Sequence, residues 1–399
     1  MPGHLPVVTQ EWHIITCEYP PQPGGVSDYT RLVAKGLAEE GDRVHVWCPS
    51  GPTPTAGIAG VEVHQTLGRF NSRDLLRVGN CLNEFPRPRR LLVQWVPHGY
   101  GYKSMNLAFC LWLWNRAKVA RDEVDVMVHE PFLAFREGSL KQDAVAAVHR
   151  IMVMILLNAA TRLWTSIPAW ADRLRPYLLA RQIPCGWLPV PSNVECLLST
   201  TDSGTAFVTN NLKAEHKLGH FGTFGSPISR MLEPLMSPLL RDHADRSLTL
   251  MGRGSAEFRL RMIAQNPGLE EQIHATGEMT AAELSRWIRR CDLMIQPYPD
   301  GVSSRRTTAM VALSHGVPMV TTRGLLTEDL WAESDAAVLL PSGDVGQFVD
   351  VVNDLLADEQ KRRRIALRAR TFYANRFDLH HTIKALRSAR EPHPSLCEF

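Results

Sequence analysis

A chain of 399 residues, 44% hydrophobic and 21% charged, is long enough for two or three domains and too apolar to be disordered. Its formal net charge of +3 gives no electrostatic case for a nucleic-acid partner. The start of the chain lacks the features of a signal peptide, and the longest apolar run, 151–157, is too short for a bilayer span, so a cytoplasmic protein is expected.

In chain order, a first strand is expected at 11–17 (EWHIITC), emptying into a loop rich in proline and glycine. A helix from about 28 to 40 and a strand at 43–48 complete a βαβ unit. Its Gly24-Gly25 pair at the helix start permits close backbone approach to a phosphate or sugar. The GxGxxG spacing is absent, so no nicotinamide cofactor is indicated. A short strand at 61–64 and a helix at 73–82 follow. The strand 91–96 (LLVQWV) then runs into Pro97-His98-Gly99-Tyr100-Gly101-Tyr102, a loop able to hold sugar hydroxyls. An apolar helix at 105–114 precedes the strand 124–129, which ends at His129. Residues at the carboxyl end of a parallel strand face the ligand crevice, which makes His129 a site candidate; a satisfied structural histidine is the alternative. A helix at 142–160 and a strand at 163–166 close this half.

The segment 183–194 (IPCGWLPVPSNV) reads as a linker. A second α/β series begins with the strand 217–223 entering Gly222-Thr223-Phe224-Gly225, then a helix at 228–240. The strand 247–251 is delivered into Gly252-Arg253-Gly254-Ser255, and a strand at 272–275 precedes Gly277-Glu278-Met279. After a helix at 281–290, the stretch 291–322 forms a strand, a Pro/Gly turn through Asp300 and Gly301, a helix capped by Ser303 or Ser304, and a further strand. Arg305 and Arg306, with the helix N–H groups and dipole, favour an anion there, most economically a phosphate; a solvated helix start with two surface arginines is the alternative. A strand at 338–339, helices at 344–356 and 359–375, and a final segment at 379–390 end the chain. Eight cysteines, the last at 397, form no CxxC or Cys/His metal spacing, and reduced structural thiols are expected.

These stretches together resemble a family 4 (group 1) glycosyltransferase of the GT-B fold. The resemblance rests on YPPQPGGVSDYTRLVAKGLAEEGDRVHVWCP, LVQWVPHGYG, MVHEPF and LPVPSNV in the first half. In the second half it rests on HFGTFG, LTLMGRG, HATGEMTAAELSRWIRRCDLMIQPYPDG and ALSHGVPMVTT. It implies an α/β protein of two Rossmann-like, doubly wound parallel-sheet domains facing a cleft: an acceptor domain at 1–190, a nucleotide-sugar donor domain at 191–375, and a segment 376–399 returning to the first. It also implies transfer, with retention, from a nucleotide-sugar to a hydroxyl acceptor (a glycan, glycolipid or small molecule), with no cofactor and no metal.

Carried over residue by residue, the family's Glu-x7-Glu pattern falls at Asp300 and Thr308, so the second acid is missing. The cations that grip the diphosphate would fall at Thr223 and Ser229, with Arg230 beside the second. Arg305 and Arg306 are the expected replacements. His129, Asp300, Arg305 and Arg306 are thus the expected catalytic set. Donor contacts are expected from Gly24, Gly25, Thr223, Phe224, Gly225, Arg230, Gly252, Met279, Gly301, Val302, Ser303, Ser304, Thr307 and Thr308. Acceptor contacts are expected from Ser27, Asp28, Gln94, His98 and Tyr100. The lost acid and cations leave a catalytically degenerate scaffold as the alternative function; a nucleotide-sugar epimerase lacks the paired carboxylates it needs. Because relatives act on lipid-linked acceptors, Arg69, Arg73, Arg77, Arg87, Arg89 and Arg90, interleaved with Phe70, Leu75, Leu76 and Phe85, are a candidate contact with the inner face of a membrane; a solvated surface is the alternative.

Overall fold

The computed structural model describes residues 9–51, 57–136, 139–197 and 214–388. Two compact units divide the chain: Met1–Pro189 with Leu379–Phe399, and Val190–Asp378. Cys397 and the last residues of the expected 379–390 segment lie outside the described residues.

The first unit runs β1 (Glu11–Ile15), α1 (Gly25–Glu39), β2 (Arg43–Trp47), β3 (Val61–His64), α2 (Ser72–Asn83), β4 (Arg90–Trp95), α3 (Leu107–Lys118), β5 (Glu123–Val128), α4 (Leu140–Ala159), β6 (Arg162–Thr165), α5 (Pro168–Leu174) and β7 (Cys185–Trp187). The strands form one seven-stranded sheet in the order β3-β2-β1-β4-β5-β6-β7. Every pairing is parallel. Helices cover both faces of such a sheet, and β4 is buried along its whole length, as its unbroken run LLVQW foretells. The order reverses between β1 and β4, which opens a crevice at their carboxyl ends.

The second unit runs β8 (His216–Phe221), α6 (Ser226–Leu240), β9 (Arg246–Met251), α7 (Ser255–Gln265), β10 (Ile273–Ala275), α8 (Ala281–Arg289), β11 (Leu293–Gln296), α9 (Thr307–His315), β12 (Met319–Arg323), α10 (Asp329–Ser334), β13 (Val338–Pro341), α11 (Val345–Ala357) and α12 (Glu359–Arg376). Its six-stranded parallel sheet has the order β10-β9-β8-β11-β12-β13, with the reversal between β8 and β11. Leu218, Leu248, Leu250, Ile295 and Val320 from these strands pack with Leu232, Met236, Phe258 and Phe348 from α6, α7 and α11 in the core.

Three expectations change. The stretch read as a linker at 183–194 contains β7, whose Cys185 pairs with Leu163 on β6; three residues are too few to show a periodicity. Helix α1 begins at Gly25 rather than 28. Helix α9 begins at Thr307, with Arg306 in the N-cap position and no side-chain cap, so neither Ser303 nor Ser304 caps it.

The chain's last helix, α13 (Leu379–Ser388), belongs to the first unit and lies against α1. A Cβ on Gly36 would come within 2.8 Å of Ile383, so glycine is what lets α1 and α13 approach. Arg90 donates to the Leu386 carbonyl at 3.1 Å and the Gln10 amide to the Arg387 carbonyl at 3.1 Å.

Arg90 also sits 3.8 Å over the Trp12 ring and pairs with Asp125 at 2.8 Å. Beside it, Asp122 accepts from Arg89 Nε at 2.7 Å and from Arg116 Nε at 2.6 Å, all three side chains nearly inaccessible. Arg89 and Arg90 therefore cannot belong to a lipid-facing surface, and Phe70 and Leu75 are also buried. Of the apolar residues in that segment Leu76 is exposed, and Arg77 is tied to Asp74. No helix among the described residues is long and apolar enough to cross a membrane.

Replacing Asp122 by Asn strands two buried guanidiniums, and should cost about 3–5 kcal/mol in urea unfolding. Arg77→Ala, which breaks an exposed pair, should cost under about 1 kcal/mol. Equal, small losses for the two variants would show that the buried triad contributes no more than a surface pair. Burial alone pushes His129 down to about 3, and burial pushes His220 down to about 4 despite a hydrogen bond to the Ile295 carbonyl. The unfolded chain therefore takes up protons first as pH falls below about 6.5, and stability should decline from there toward pH 4 by roughly 2 kcal/mol per imidazole at pH 5. Urea midpoints between pH 7 and 5 should fall less steeply in His129→Gln than in the parent; identical slopes would contradict the assignment.

Candidate functional site

In the second unit the loops leaving β8, β9 and β10 are knitted by their backbones at the carboxyl end of the sheet. Gly252 has φ +108, and a Cβ there would meet the Gly222 carbonyl at 2.4 Å, so the two loops touch only because residue 252 is glycine. Gly252 N–H donates to the Gly277 carbonyl at 3.2 Å, and Gly277 N–H to Ser255 Oγ at 3.0 Å. Thr223, Gly225 and Arg230 are exposed here, and Met279 is half-buried. Phe224 is not a ligand-facing side chain: it is buried against Phe258 and the edge of His220. Ser229, standing where the family has a cation, donates to the Phe224 carbonyl at 2.8 Å.

Three helices that follow strands of this sheet share a property. Helices α6, α7 and α9 have no side-chain cap on their first N–H groups. Helices α8, α11 and α12 of the same unit are closed by Thr280, Asp344 and Asp358. Unsatisfied N–H groups and the helix dipole make an uncapped start an anion position.

Beside the start of α9, Asp300 is gripped by both Arg305 and Arg306. The Arg306 guanidinium also lies 4.8 Å over the Tyr298 ring. The three charged side chains remain partly exposed, at 18% for Arg305, 23% for Arg306 and 27% for Asp300. The structure thus brings together the residues expected to replace the missing cations, with Asp300 as their present counter-ion. Thr308 Oγ1 is paired with the buried Tyr298 hydroxyl at 2.7 Å, so a neutral contact stands where the family has its second acid. Thr307 is half-buried in the first turn of α9.

The intervening residues are structural. Val302 and Ser303 are fully buried, and Ser304 N–H and Oγ are both bound by the Glu328 carboxylate. Glu328 is raised above the usual carboxylate range by burial, with the hydrogen bonds from Ser304 opposing the shift. Gly301 has φ +85, and a Cβ there would collide with Gly324 N at 2.3 Å, so it holds the loops after β11 and β12 together. Val302, Ser303 and Ser304 are thus enclosed in this loop, with the Ser303 hydroxyl lacking a hydrogen-bond partner among the described residues.

In the first unit the expected phosphate position at the start of α1 is already taken. Glu18 Oε1 accepts from Val26 N–H at 3.0 Å and Ser27 N–H at 2.9 Å. A Cβ on Gly24 would strike that same oxygen at 2.1 Å, so this glycine makes room for an internal anion. Gly25 is exposed and Asp28 half-buried, whereas Ser27 is fully buried and donates to the Gln22 carbonyl at 2.6 Å. Ser27 is therefore not an acceptor contact.

Gln94, near the end of β4, and His129, just past β5, form a pair: His129 Nε2 meets Gln94 Oε1 at 2.8 Å. The amide oxygen only accepts, so Nε2 carries the proton, and Nδ1 of this neutral imidazole is the free acceptor. The Gln94 amide nitrogen is buried without a hydrogen-bond partner among the described residues. Tyr100 is fully buried, stacked on Phe109 and Trp95, with its hydroxyl donating to the Gln94 carbonyl at 2.5 Å, and cannot touch an acceptor. His98 is exposed, 3.8 Å from Glu130. A cavity of about 480 Å³ opens at the reversal point of this sheet, lined by Cys17, Arg69, Phe70, Asn71, Gly99, Gly101 and Tyr102 among others. The tyrosine that serves this crevice is Tyr102, 54% exposed, rather than Tyr100. Reading the sequence missed Asn71 and the internal anions Glu18 and Glu328. Glu18 stands three residues past the end of β1, the one local hint.

Residues 216–358 match the family model described as glycosyl transferases group 1. No curated protein matches the chain in sequence. Among solved structures, sucrose-phosphate synthase from Thermosynechococcus elongatus superposes with a TM-score of 0.69 at 15% identity, covering 96% of this chain and 98% of that one. HepE of Anabaena, solved with UDP and glucose, has a TM-score of 0.66 at 15% identity, over 97% of this chain and 100% of its own. WaaG, a glycosyltransferase of lipopolysaccharide biosynthesis, has 0.65 at 14%, over 95% and 100%. Residues 216–358 therefore match a group 1 glycosyl transferase domain, and the two parallel sheets of the chain have the GT-B fold of these neighbours.

Proposed function

We propose that the chain moves a glycosyl group from a nucleotide-diphosphate sugar to a hydroxyl acceptor, with retention at the anomeric carbon and with protein cations rather than a metal ion meeting the leaving diphosphate. The observation that carries this reading is the Arg305–Arg306 pair beside the uncapped start of α9, next to the uncapped starts of α6 and α7. A developing diphosphate needs preorganised positive charge, and guanidinium forks with helix N–H groups supply it without reorganisation. In the step itself the bond from the anomeric carbon to the diphosphate oxygen breaks. The acceptor oxygen bonds to that carbon on the same face, and its proton passes to the departing phosphate. Asp300, held by both guanidiniums, would set their direction in the free protein. Neutral His129, with Nδ1 as acceptor, and the unpartnered amide of Gln94 are suited to sugar hydroxyls. The crevice of the first unit, with Asn71, Arg69 and Tyr102, is the proposed acceptor site. The solved neighbours that hold UDP, UDP-glucose or UDP-2-fluoro glucose make uridine the first base to try.

Calorimetric titration with UDP, GDP and ADP in the presence of EDTA should give binding of one nucleotide. Arg305→Ala/Arg306→Ala should weaken it at least about tenfold, about 1.4 kcal/mol. A double variant that binds nucleotide like the parent would remove the arginines from the donor site. Failure of all three nucleotides to bind into the millimolar range would instead support the degenerate scaffold.

A further inference from the structure

Away from both crevices, the outer edge of the first sheet carries a constellation that glycosyl transfer does not use. His45 on β2 is register partner to Glu62 on β3, and His64 follows two residues after Glu62. Side chains alternate along a strand, and register partners in a parallel pair share a face, so all three project from the same side. His45 Nδ1 lies 3.1 Å from His64 Nε2 and 3.4 Å from Glu62 Oε2, and His64 Nε2 lies 3.7 Å from Glu62 Oε1. Ligand atoms around a tetrahedral ion with bonds of about 2.0–2.1 Å are separated by roughly 3.3 Å; here one ligand atom from each residue lies within 4.8 Å of the others, and the two imidazole nitrogens are already 3.1 Å apart.

We propose that His45 Nδ1, His64 Nε2 and the Glu62 carboxylate form a site for a divalent transition metal, of which zinc is the best fit, pinning edge strand β3 to β2. Two imidazoles and one carboxylate suit zinc and disfavour magnesium or calcium, which take all-oxygen shells. On the other side of the ring, Glu11 Oε1 stands 3.7 Å from His45 Nε2, a carboxylate near the second nitrogen though beyond hydrogen-bond distance. The His45 ring is further held between the rings of His13, at 5.1 Å, and His64, at 5.3 Å. The Glu62 side chain is 66% exposed, so an ion can enter from solvent and keep water in its fourth position. Trp47 lies parallel to His64 with ring centroids 4.1 Å apart, which places an optical reporter against one ligand. The site is separate from the transfer reaction, and no step proposed for that reaction passes through it.

The test is titration of the EDTA-stripped, dialysed full-length protein with zinc chloride, followed by calorimetry and tryptophan fluorescence. Zinc should bind with a stoichiometry of one at this site, change the tryptophan emission and raise the melting temperature. Glu62→Gln and His64→Gln, each with an unchanged circular dichroism spectrum, should each weaken binding at least about tenfold and lose the fluorescence change. Magnesium chloride should produce neither signal. Zinc binding that is unchanged in both variants would lie at other side chains and overturn the proposal, as would no binding to the parent protein. Zinc that binds without altering the melting temperature would overturn the pinning of β3.

Discussion

The opening N–H groups of a helix need an acceptor, and where this chain supplies that acceptor from its own side chains decides where a phosphate can go. At α1 the acceptor is internal: Glu18 occupies the N-terminus, and Gly24 has given up its side chain to let it in. At α8, α11 and α12 a Thr or Asp cap does the same. Helices α6, α7 and α9 receive nothing from their N-cap side chains, and they follow the strands whose loops carry the family's donor motifs. Among the helices of eight residues or more in the second unit, the uncapped starts are thereby those of α6, α7 and α9.

The same accounting bears on the proposed donor site, which lacks the cations the resemblance would place there. Thr223 and Ser229 carry no charge, and Ser229 is spent on the Phe224 carbonyl. Around the loops of the second unit there remain Arg230, Arg253, Arg305 and Arg306, opposed by Glu278 and Asp300. With Glu328 on Ser304 as a third acidic side chain, these four guanidiniums still outnumber the acids named around them. The proposed site would differ from a preformed Arg/Lys grip in that Asp300 would share or yield its guanidiniums on donor binding. A charged pair that exchanges one carboxylate for a phosphate loses less than one that takes up an anion from an unpaired state, because the guanidiniums are already desolvated and oriented.

The strand–helix order was legible because buried parallel strands are short apolar runs and their helices carry a wider period. Legibility failed wherever the deciding partner is distant in sequence. Arg89 and Arg90 look like surface charges until Asp122 and Asp125, more than thirty positions on, are brought beside them by the β4–β5 pairing. Ser304 looks like an N-cap until Glu328 arrives from the loop after β12. Tyr100 and Tyr102 are chemically alike in sequence; only packing on Phe109 and Trp95 separates the buried ring from the exposed one. Local composition carries the elements, whereas the satisfied or unsatisfied state of a polar group belongs to the tertiary structure.

The histidine cluster on the first sheet is the clearest instance of that limit. Glu62 and His64 sit in VEVH, a pattern that reads as nothing more than an edge strand with alternating polarity, and His45 lies seventeen positions before Glu62. Metal spacings recognised in sequence come from turns and helices, where ligands are three or four residues apart. A pair of parallel strands builds the same geometry from i and i+2 on one strand and a register partner on the next, and the connection between them can have any length. The position is also where a metal has most to contribute mechanically. Strand β3 is four residues long, pairs only with β2 and ends the sheet, so its hydrogen bonds are the first to open. A bond from each strand to a common ion closes that edge without the apolar burial that fixes the strands at the centre.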